Sequence, residues 1–244
     1  MKIKEKINLD KNGLRKHGSI NIVAFGDSVT HGYFDLGAPD YEAVYHNVLR
    51  KKILSVRDYV PVNIINAGIG GDRASNSLDR MDSQVFRYDP DLVIICFGLN
   101  DVNGPLEDYL SALREMFQRC IDRNTDVIFL TPNMLNTYVA EDTAEAYKNY
   151  AYRTAKMQNE GVFDKYIYSA VELAKSMGIT VCDCYSKWKK LSETEDTTLL
   201  LANRINHPNR KMHELFANEL FKIIFDEEQN TKESDSGMCA ESKR

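Results

Sequence analysis

Four short segments of this sequence carry side chains that can react or donate hydrogen bonds, and three of them also contain glycine. They read GDSVTHG at 26–32, NAGIGGD at 66–72, GLND at 98–101 and NHPN at 206–209. Together they contain a serine, an asparagine, several glycines and a histidine beside small or polar neighbours. These residue types indicate one class of reaction, the transfer of an acyl group, because each of them has a separate role in it.

Acyl transfer to a serine needs a nucleophile, a base and donors for an oxyanion. Ser28 stands at a predicted tight turn, where its hydroxyl is exposed and a nearby glycine leaves room for a substrate. The backbone N–H of a glycine and the side-chain amide of Asn100 are neutral donors for the charge that forms on the attacked carbonyl oxygen. His207 can accept the serine proton near neutral pH. The sequence thus supplies all three.

The elements that must position these residues are visible in the apolar pattern. Five short apolar runs predict strands, and the third is nearly continuous, as in a strand covered on both faces. These runs lie at 20–25, 62–66, 91–97, 126–131 and 179–183. Longer stretches with helical spacing lie at 41–56, 74–86, 106–123, 143–177 and 209–225, with a predicted break at Gly161.

Strands that alternate with helices of about a dozen residues indicate an α/β fold. We predict a single doubly wound, flavodoxin-like, five-stranded parallel sheet with helices on both faces, formed by residues 18–225. Residues 1–17 are expected to form an N-terminal arm, and the polar residues 226–244 a disordered tail. In open parallel sheets ligands bind at the carboxyl ends of the strands, so the four segments are expected to meet there.

In their order along the chain, the four segments resemble the sequence blocks of the SGNH, or GDSL-like, hydrolase family. In this resemblance Ser28 takes the position of the nucleophile and contributes to the oxyanion hole. Gly71 and Asn100 take the positions of the other oxyanion donors, and His207 that of the base. The match spans residues 26–209 in the family's order and spacing. It implies a serine esterase; no cofactor and no metal ion are predicted.

One position departs from the family pattern. The family usually carries an aspartate three residues before the histidine, where this sequence has Arg204. An arginine side chain cannot accept a hydrogen bond from the imidazole. We therefore predict a Ser–His dyad in which the main-chain carbonyl of Arg204, or a side-chain oxygen of Asn203 or Asn206, orients His207. The guanidinium is expected to point away from the imidazole.

Other polar residues near the four segments receive supporting roles or none. Asp27 is expected to bind backbone N–H groups of its own turn, and Asp101 to tie down the loop after the third strand. His213, on the last predicted helix, is interpreted as a surface or capping residue. His31 is interpreted as a solvated loop residue, and His46 is given no role.

The composition excludes several partners. A net charge of -5 and a pI near 5.6 give no reason to expect nucleic acid, and no apolar run is long enough to span a bilayer. The basic, polar N-terminus lacks the apolar region of a secretory signal, which favours a cytoplasmic location. Cys182 and Cys184 are too close for the usual zinc pairing, so the cysteines are expected to be reduced and structural.

Two other functions fit part of the pattern. A flavodoxin-like phosphate or flavin site in the first loop would use Ser28 and Thr30, but it leaves Asn100 and His207 without a purpose. A catalytically weak, carbohydrate-binding pseudoenzyme is favoured by Arg204 alone. An esterase remains the preferred interpretation because it uses all four segments.

The loops expected to frame the site indicate the kind of substrate. The loops at 33–41, 102–105 and 133–143 mix tyrosine and phenylalanine with aspartate, glutamate and asparagine. Aromatic faces beside polar groups suit a sugar or another polar alcohol better than a long acyl chain. The sequence therefore predicts a small-molecule ester as the partner, with a short acyl group such as acetyl on a polar or carbohydrate alcohol.

Overall fold

The computed structural model describes residues 3–35, 37–57 and 59–225, and these form a five-stranded, all-parallel sheet. Its strand order is β2-β1-β3-β4-β5. The strands are β1 (Ile20–Gly26), β2 (Val62–Gly68), β3 (Leu92–Cys96), β4 (Asp126–Leu130) and β5 (Thr180–Cys182). This is the order of doubly wound, flavodoxin-like sheets. The predicted fold class is therefore confirmed.

Eleven α-helices within the described ranges surround the sheet. They are α1 (Ile3–Ile7), α2 (Lys11–His17), α3 (Ser28–His31), α4 (Tyr45–Leu54), α5 (Ala74–Ser77), α6 (Met81–Gln84), α7 (Leu106–Asp122), α8 (Lys148–Asn159), α9 (Val162–Ser176), α10 (Cys184–Leu191) and α11 (Arg210–Phe225). Short 3₁₀ turns cover Leu78–Arg80, Phe86–Tyr88, Asp101–Asn103, Glu145–Tyr147 and Thr197–Leu200.

The strands at the centre of the sheet explain the apolar runs of the sequence. All five residues of β3 are buried, and in β1 Asn21 alone is half-buried while the rest are buried. Both strands are covered by helices on their two faces, so neither face can be polar. β2, at the edge of the sheet, is partly exposed and more polar. The carboxyl ends of β1, β2 and β3 are adjacent, which brings the first three glycine-containing segments together.

Two differences between the predicted and the observed helices have a clear local cause. The helix predicted over 74–86 is broken into α5, a 3₁₀ turn and α6, in a stretch rich in serine, asparagine and aspartate, which compete with the helical backbone for hydrogen bonds. Helix α10 was not predicted; Asp183 caps it by accepting from the Ser186 N–H at 3.0 Å. The break predicted at Gly161 is confirmed, with φ of 74°.

The predicted N-terminal arm, residues 1–17, carries helices α1 and α2 in its described part. Helix α1 buries Ile3 and Ile7 in the same core as the sheet, because residues four apart lie on one face of a helix. Lys6 pairs with Asp91 at 2.8 Å, just before β3. Helix α1 therefore packs on the sheet domain. The predicted tail, 226–244, lies outside the described residues.

Two further expectations can be compared with the structure. The four cysteines in the described part of the chain are buried and unpaired, as predicted. No helix in the described ranges is both long and apolar enough to cross a membrane.

Candidate active site

The first glycine-containing segment places Ser28 at the carboxyl end of β1. The chain leaves β1 at Gly26 and enters α3 with Asp27 as its N-cap, where the Asp27 carboxylate accepts from the Val29 N–H at 2.9 Å. A Cβ atom at position 26 would lie 2.5 Å from the carbonyl oxygen of Cys96, so no other residue fits there without a backbone shift. Ser28 is the first residue of α3, and 7% of its surface is exposed.

His207 reaches the same point from the other end of the chain. Its Nε2 atom lies 2.9 Å from the Ser28 hydroxyl oxygen, although the two residues are 179 positions apart. The turn that carries His207 is held by Asn203, whose side-chain oxygen accepts the N–H groups of Ile205, Asn206 and His207 at 2.9–3.0 Å. This contact allows direct proton transfer between serine and imidazole.

Burial sets the protonation state of His207. Loss of solvent lowers its pKa to about 4, partly opposed by the backbone of Phe34 and Asp35 and by the Asp35 carboxylate. The Nδ1 atom is buried and makes no hydrogen bond of ordinary geometry with any described residue. The imidazole is therefore neutral at pH 7, the form that can accept a proton.

The residues predicted to orient His207 lie elsewhere. The Arg204 guanidinium binds Asp142 at 3.0 Å and the Leu201 carbonyl at 2.8 Å. Asn203 uses its side-chain oxygen for the turn, and the Asn206 side-chain oxygen accepts from Asn203 at 2.9 Å. The guanidinium thus points away from the imidazole. The His207 Nδ1 atom has no hydrogen-bond partner of ordinary geometry among the described residues, so neither the Arg204 carbonyl nor the two asparagine oxygens accept from it.

The predicted oxyanion donors are linked to one another. The Asn100 side-chain nitrogen donates to the Asp72 carbonyl at 2.9 Å, which leaves its second N–H free for a substrate. Gly71, next to Asp72, has φ of 79°. At the neighbouring Gly70 a Cβ atom would lie 4.0 Å from the Ser28 Cβ. The turn that carries Gly71 therefore runs between Asn100 and the serine.

Two buried carboxyl groups support this edge of the sheet. Asp101 accepts from the Ala74 N–H at 2.9 Å and so joins the loop after β3 to the start of α5. Burial raises the pKa of Asp27 to about 7 and that of Asp101 to about 6, and the charge of Asp101 raises the pKa of Asp27 further. Both make the backbone contacts predicted for them.

Comparison with protein-family models identifies the chain. Residues 24–215 match the model of the GDSL-like lipase/acylhydrolase family. The chain belongs to this family. The resemblance found in the sequence is thereby confirmed, and the protein is a hydrolase of the esterase or acylhydrolase type. No curated protein sequence matches the chain.

Solved structures similar to this GDSL-like hydrolase include esterases. An acetylxylan esterase from Geobacillus stearothermophilus has 20% identity and a TM-score of 0.67, with 85% of this chain and 95% of that chain covered. A lipase/acylhydrolase from Enterococcus faecalis has 24% identity and a TM-score of 0.65, with 84% and 95% covered. An α/β hydrolase from the metagenome of Lake Arreo, Spain, has 22% identity and a TM-score of 0.65, with 85% and 95% covered. At these identities the likeness shows a shared fold.

A supporting residue that the sequence did not reveal is Arg80. Its side chain, 11% exposed, donates to the carbonyls of Gly26 at 3.1 Å and Ala67 at 2.6 Å and pairs with Asp72 at 2.9 Å. It also lies over the Phe25 ring at 4.4 Å from the centroid. In this GDSL-like hydrolase it therefore connects the ends of β1 and β2 with the turn of Gly71. An arginine in a polar segment is usually solvated, so no local signal indicated this role.

The interpretation of His213 as a surface or capping residue is wrong. It is fully buried, and its Nδ1 atom accepts from the Tyr45 N–H at 3.0 Å. Its ring packs on Phe34 with centroids 4.4 Å apart, and burial lowers its pKa to about 3. His213 thus supports the loop that passes His207.

Several loop residues expected to frame the substrate are structural. Asn133 is buried and donates to the Asn206 carbonyl at 2.8 Å, next to His207. Asn136 is also buried and donates to the main chain. Tyr33 does lie at the site: its ring centroid is 6.5 Å from that of His207. Among the described residues no group of three or more His, Cys, Asp or Glu side chains could hold a metal ion.

Proposed function

We propose that this hydrolase cleaves a short acyl ester, such as an acetate, of a polar or carbohydrate alcohol through an acyl-serine intermediate on Ser28. The observation that carries the proposal is the 2.9 Å contact between the Ser28 hydroxyl and His207 Nε2. Similar structures support it, since one is described as an acetylxylan esterase and its serine-to-alanine variant as a catalytic mutant.

The reaction follows from these positions. The Ser28 oxygen attacks the acyl carbonyl while His207 Nε2 takes the serine proton. The backbone N–H groups of Ser28 and Gly71 and the Asn100 amide receive the oxyanion. The intermediate collapses, and the departing alcohol takes the proton from His207. Water then attacks the acyl group while His207 takes one of its protons, and His207 returns this proton to the Ser28 oxygen as the acid is released.

The charge on His207 during acylation is stabilised differently from that in a Ser-His-Asp triad. The imidazolium has the backbone of Phe34 and Asp35 and the exposed Asp35 carboxylate nearby, instead of a buried acid bonded to Nδ1. Loss of the acidic member costs about 10⁴-fold in serine proteases. We therefore expect a modest turnover number that depends strongly on the oxyanion donors.

The alcohol preference rests on the surface beside Ser28. Tyr33 places an aromatic ring next to the turn of Gly70, where a Cβ atom would lie 3.3 Å from it. An aromatic ring with polar neighbours is a common surface for a sugar ring.

The cytoplasmic location expected from the N-terminal sequence stays a prediction.

A panel of p-nitrophenyl esters of increasing acyl length, alongside acetylated sugars, tests the substrate class. We expect kcat/KM to be highest for acetate and to fall as the acyl chain lengthens. A maximum at long acyl chains would contradict the proposal. Absence of turnover on every ester, with a folded protein that binds sugar, would favour the pseudoenzyme instead. An absorbance spectrum with bound flavin would favour the cofactor-binding alternative.

Covalent labelling tests the nucleophile. A fluorophosphonate should modify Ser28, because its hydroxyl is activated by His207, and peptide mapping would locate the adduct. Ser28→Ala should lose the label. Ser75→Ala, which changes an exposed serine on α5, serves as the matched control and should keep it. Labelling that survives Ser28→Ala would refute the assignment.

A further inference from the structure

A cavity of about 330 Å³ lies between α4 and β2, beside the turn that carries Ser28. Its walls include His31, His46, Arg50 and Asn66. Small-molecule sites have volumes of roughly 300–1,000 Å³. The cavity is therefore large enough for a group the size of one sugar ring.

Arg50 gives the cavity its charge. Its half-buried side chain has no ion pair and no hydrogen bond with the described residues, whereas the neighbouring Lys51 pairs with Glu42 at 2.8 Å. None of the residues lining the cavity in the described part of the chain is acidic. A guanidinium with free N–H groups in a concave, acid-free surface matches the planar, bidentate geometry of a carboxylate or phosphate.

The other walls carry hydrogen-bonding groups and are partly aromatic. His46 is buried and bonded through Nε2 to the Thr30 carbonyl at 3.0 Å, and burial lowers its pKa to about 4, so it carries no charge at pH 7. The Tyr41 hydroxyl lies 3.4 Å from His31 Nε2, and the two rings stack with centroids 6.1 Å apart. The cavity thus combines the Arg50 guanidinium with a flat aromatic wall and hydrogen-bonding groups.

A short helix and a row of aromatic rings relate the cavity to the catalytic pair. His31 is three residues after Ser28 in α3, a rise of about 4.5 Å along the helix. The Tyr33 ring bridges the two regions, with centroids 5.0 Å from His31 and 6.5 Å from His207. A row of rings therefore leads from the base, through Tyr33 and His31, to Tyr41 at the cavity.

From these contacts we infer that the cavity is a subsite for the alcohol part of the ester and selects an alcohol of sugar size that bears a carboxylate or phosphate. Arg50 binds the carboxylate or phosphate of the alcohol, and the rings of His31 and Tyr41 cover its ring. The inference rests on the proposed function and adds to it the charge of the substrate.

A matched pair of substrates tests the inference directly. Wild-type protein should hydrolyse the acetate of methyl glucuronoside with a kcat/KM at least about tenfold above that of the acetate of methyl glucoside. Arg50→Gln should bring this ratio close to one, a fall of about tenfold or more, mainly through KM, as expected for loss of a charged hydrogen-bonded pair. The ratio for Arg50→Lys should lie between those of wild type and Arg50→Gln, since lysine keeps the positive charge but lacks the paired N–H donors of the guanidinium. The acetate of glucose 6-phosphate shows whether phosphate replaces carboxylate.

Lys52→Gln is the control for general charge effects. It removes a positive charge two residues further along α4, from a side chain that does not line the cavity. The acid-to-neutral ratio should stay as in wild type. An equal fall of the ratio in Lys52→Gln and Arg50→Gln would overturn the inference, because long-range charge would then explain the preference.

Binding measurements separate this inference from the proposed function. Calorimetry with methyl glucuronoside and glucose 6-phosphate should detect binding of at least one to wild type and its loss in Arg50→Gln. If the protein hydrolyses neutral acetates but neither prefers acidic alcohols nor binds these ligands, the subsite is refuted and the esterase proposal stands. If binding depends on Arg50 but no ester is hydrolysed, the esterase proposal fails and the binding site stands.

Discussion

The two sides of the Ser28–His207 contact are built in different ways. On the side of the proposed oxyanion donors, side chains of one loop bind the main chain of another. The Asn100 side chain donates to the Asp72 carbonyl and the Asp101 carboxylate accepts from the Ala74 N–H, both at 2.9 Å. Arg80 adds bonds to the ends of β1 and β2. On the base side, Asn203 shapes the turn of His207, but the buried Nδ1 atom lacks a hydrogen bond of ordinary geometry to the described residues.

With the proposed mechanism, this difference predicts where the transition state is stabilised. Donors held by a network are already in place when charge forms on the substrate oxygen, so they need no reorganisation during the reaction. When a neutral imidazole without a bonded carboxylate accepts the proton, the imidazolium that forms is stabilised less. We therefore expect the oxyanion donors to carry a large share of the rate, and the groups around His207 to modulate it.

The largest effect should come from His207→Ala. Without the base the Ser28 proton has no acceptor, and in a serine protease such a loss costs about 10⁶-fold in kcat. Steady-state kinetics on p-nitrophenyl acetate measure it, with circular dichroism as the check on folding. A variant that keeps more than about one hundredth of the wild-type kcat would mean that another group acts as base.

Asn100→Ala should reduce kcat by about 10²–10³-fold, the usual effect of removing one oxyanion donor. Asn76→Ala, which changes an exposed asparagine on α5, is the matched control and should leave kcat unchanged. If kcat holds in Asn100→Ala and only KM rises, the residue binds ground-state substrate and the contrast between the two sides is weaker than proposed.

The pH dependence of kcat/KM probes the base side. His207 must be neutral to accept a proton, and its folded pKa lies at about 4, below the ordinary value near 6.5. Activity should therefore persist to about pH 5 and fall about tenfold per unit below pH 4. An acid limb near pH 6.5 would contradict the burial argument. Asp27→Asn is the control, because the pKa of Asp27 is about 7 and its titration would add an inflection at that pH. An inflection that disappears in this variant belongs to Asp27 and not to His207.

Asp35→Asn should have a smaller effect, less than about tenfold on kcat. The Asp35 carboxylate raises the pKa of His207, so its removal should shift the acid limb to lower pH and stabilise the imidazolium less. The side chain is exposed and therefore screened by solvent and salt. A loss of 10³-fold or more would show that Asp35 serves as a full third member of a triad.

Arg204→Ala should have the smallest effect. Its partner Asp142 is largely exposed, and such pairs contribute about 0–1 kcal/mol to stability. We expect kcat within about twofold of wild type and a small fall in Tm measured by thermal unfolding. A loss as large as that of His207→Ala would mean that Arg204 orients the base after all.

The sequence by itself determined the sheet and the segments that form the site. Each strand is visible as an apolar run within a short stretch of sequence. The carboxyl ends of adjacent parallel strands lie at the same edge of the sheet, whatever the conformation of the loops that connect the strands. For this reason the sequence alone predicts that Ser28, Gly71 and Asn100 lie at one edge of the sheet. His207 could be added because its segment directly precedes the last helix.

The tertiary structure alone decided how polar side chains are used around that edge. Arg80 and His213 have the same local sequence surroundings as solvated residues, and their burial depends on contacts with β1, β2 and Tyr45, which are distant in the chain. Asn203 could equally have faced the imidazole, but its oxygen is occupied by three N–H groups of its own turn. Hydrogen-bond partners are set by which groups meet after folding, and the local pattern does not contain that information.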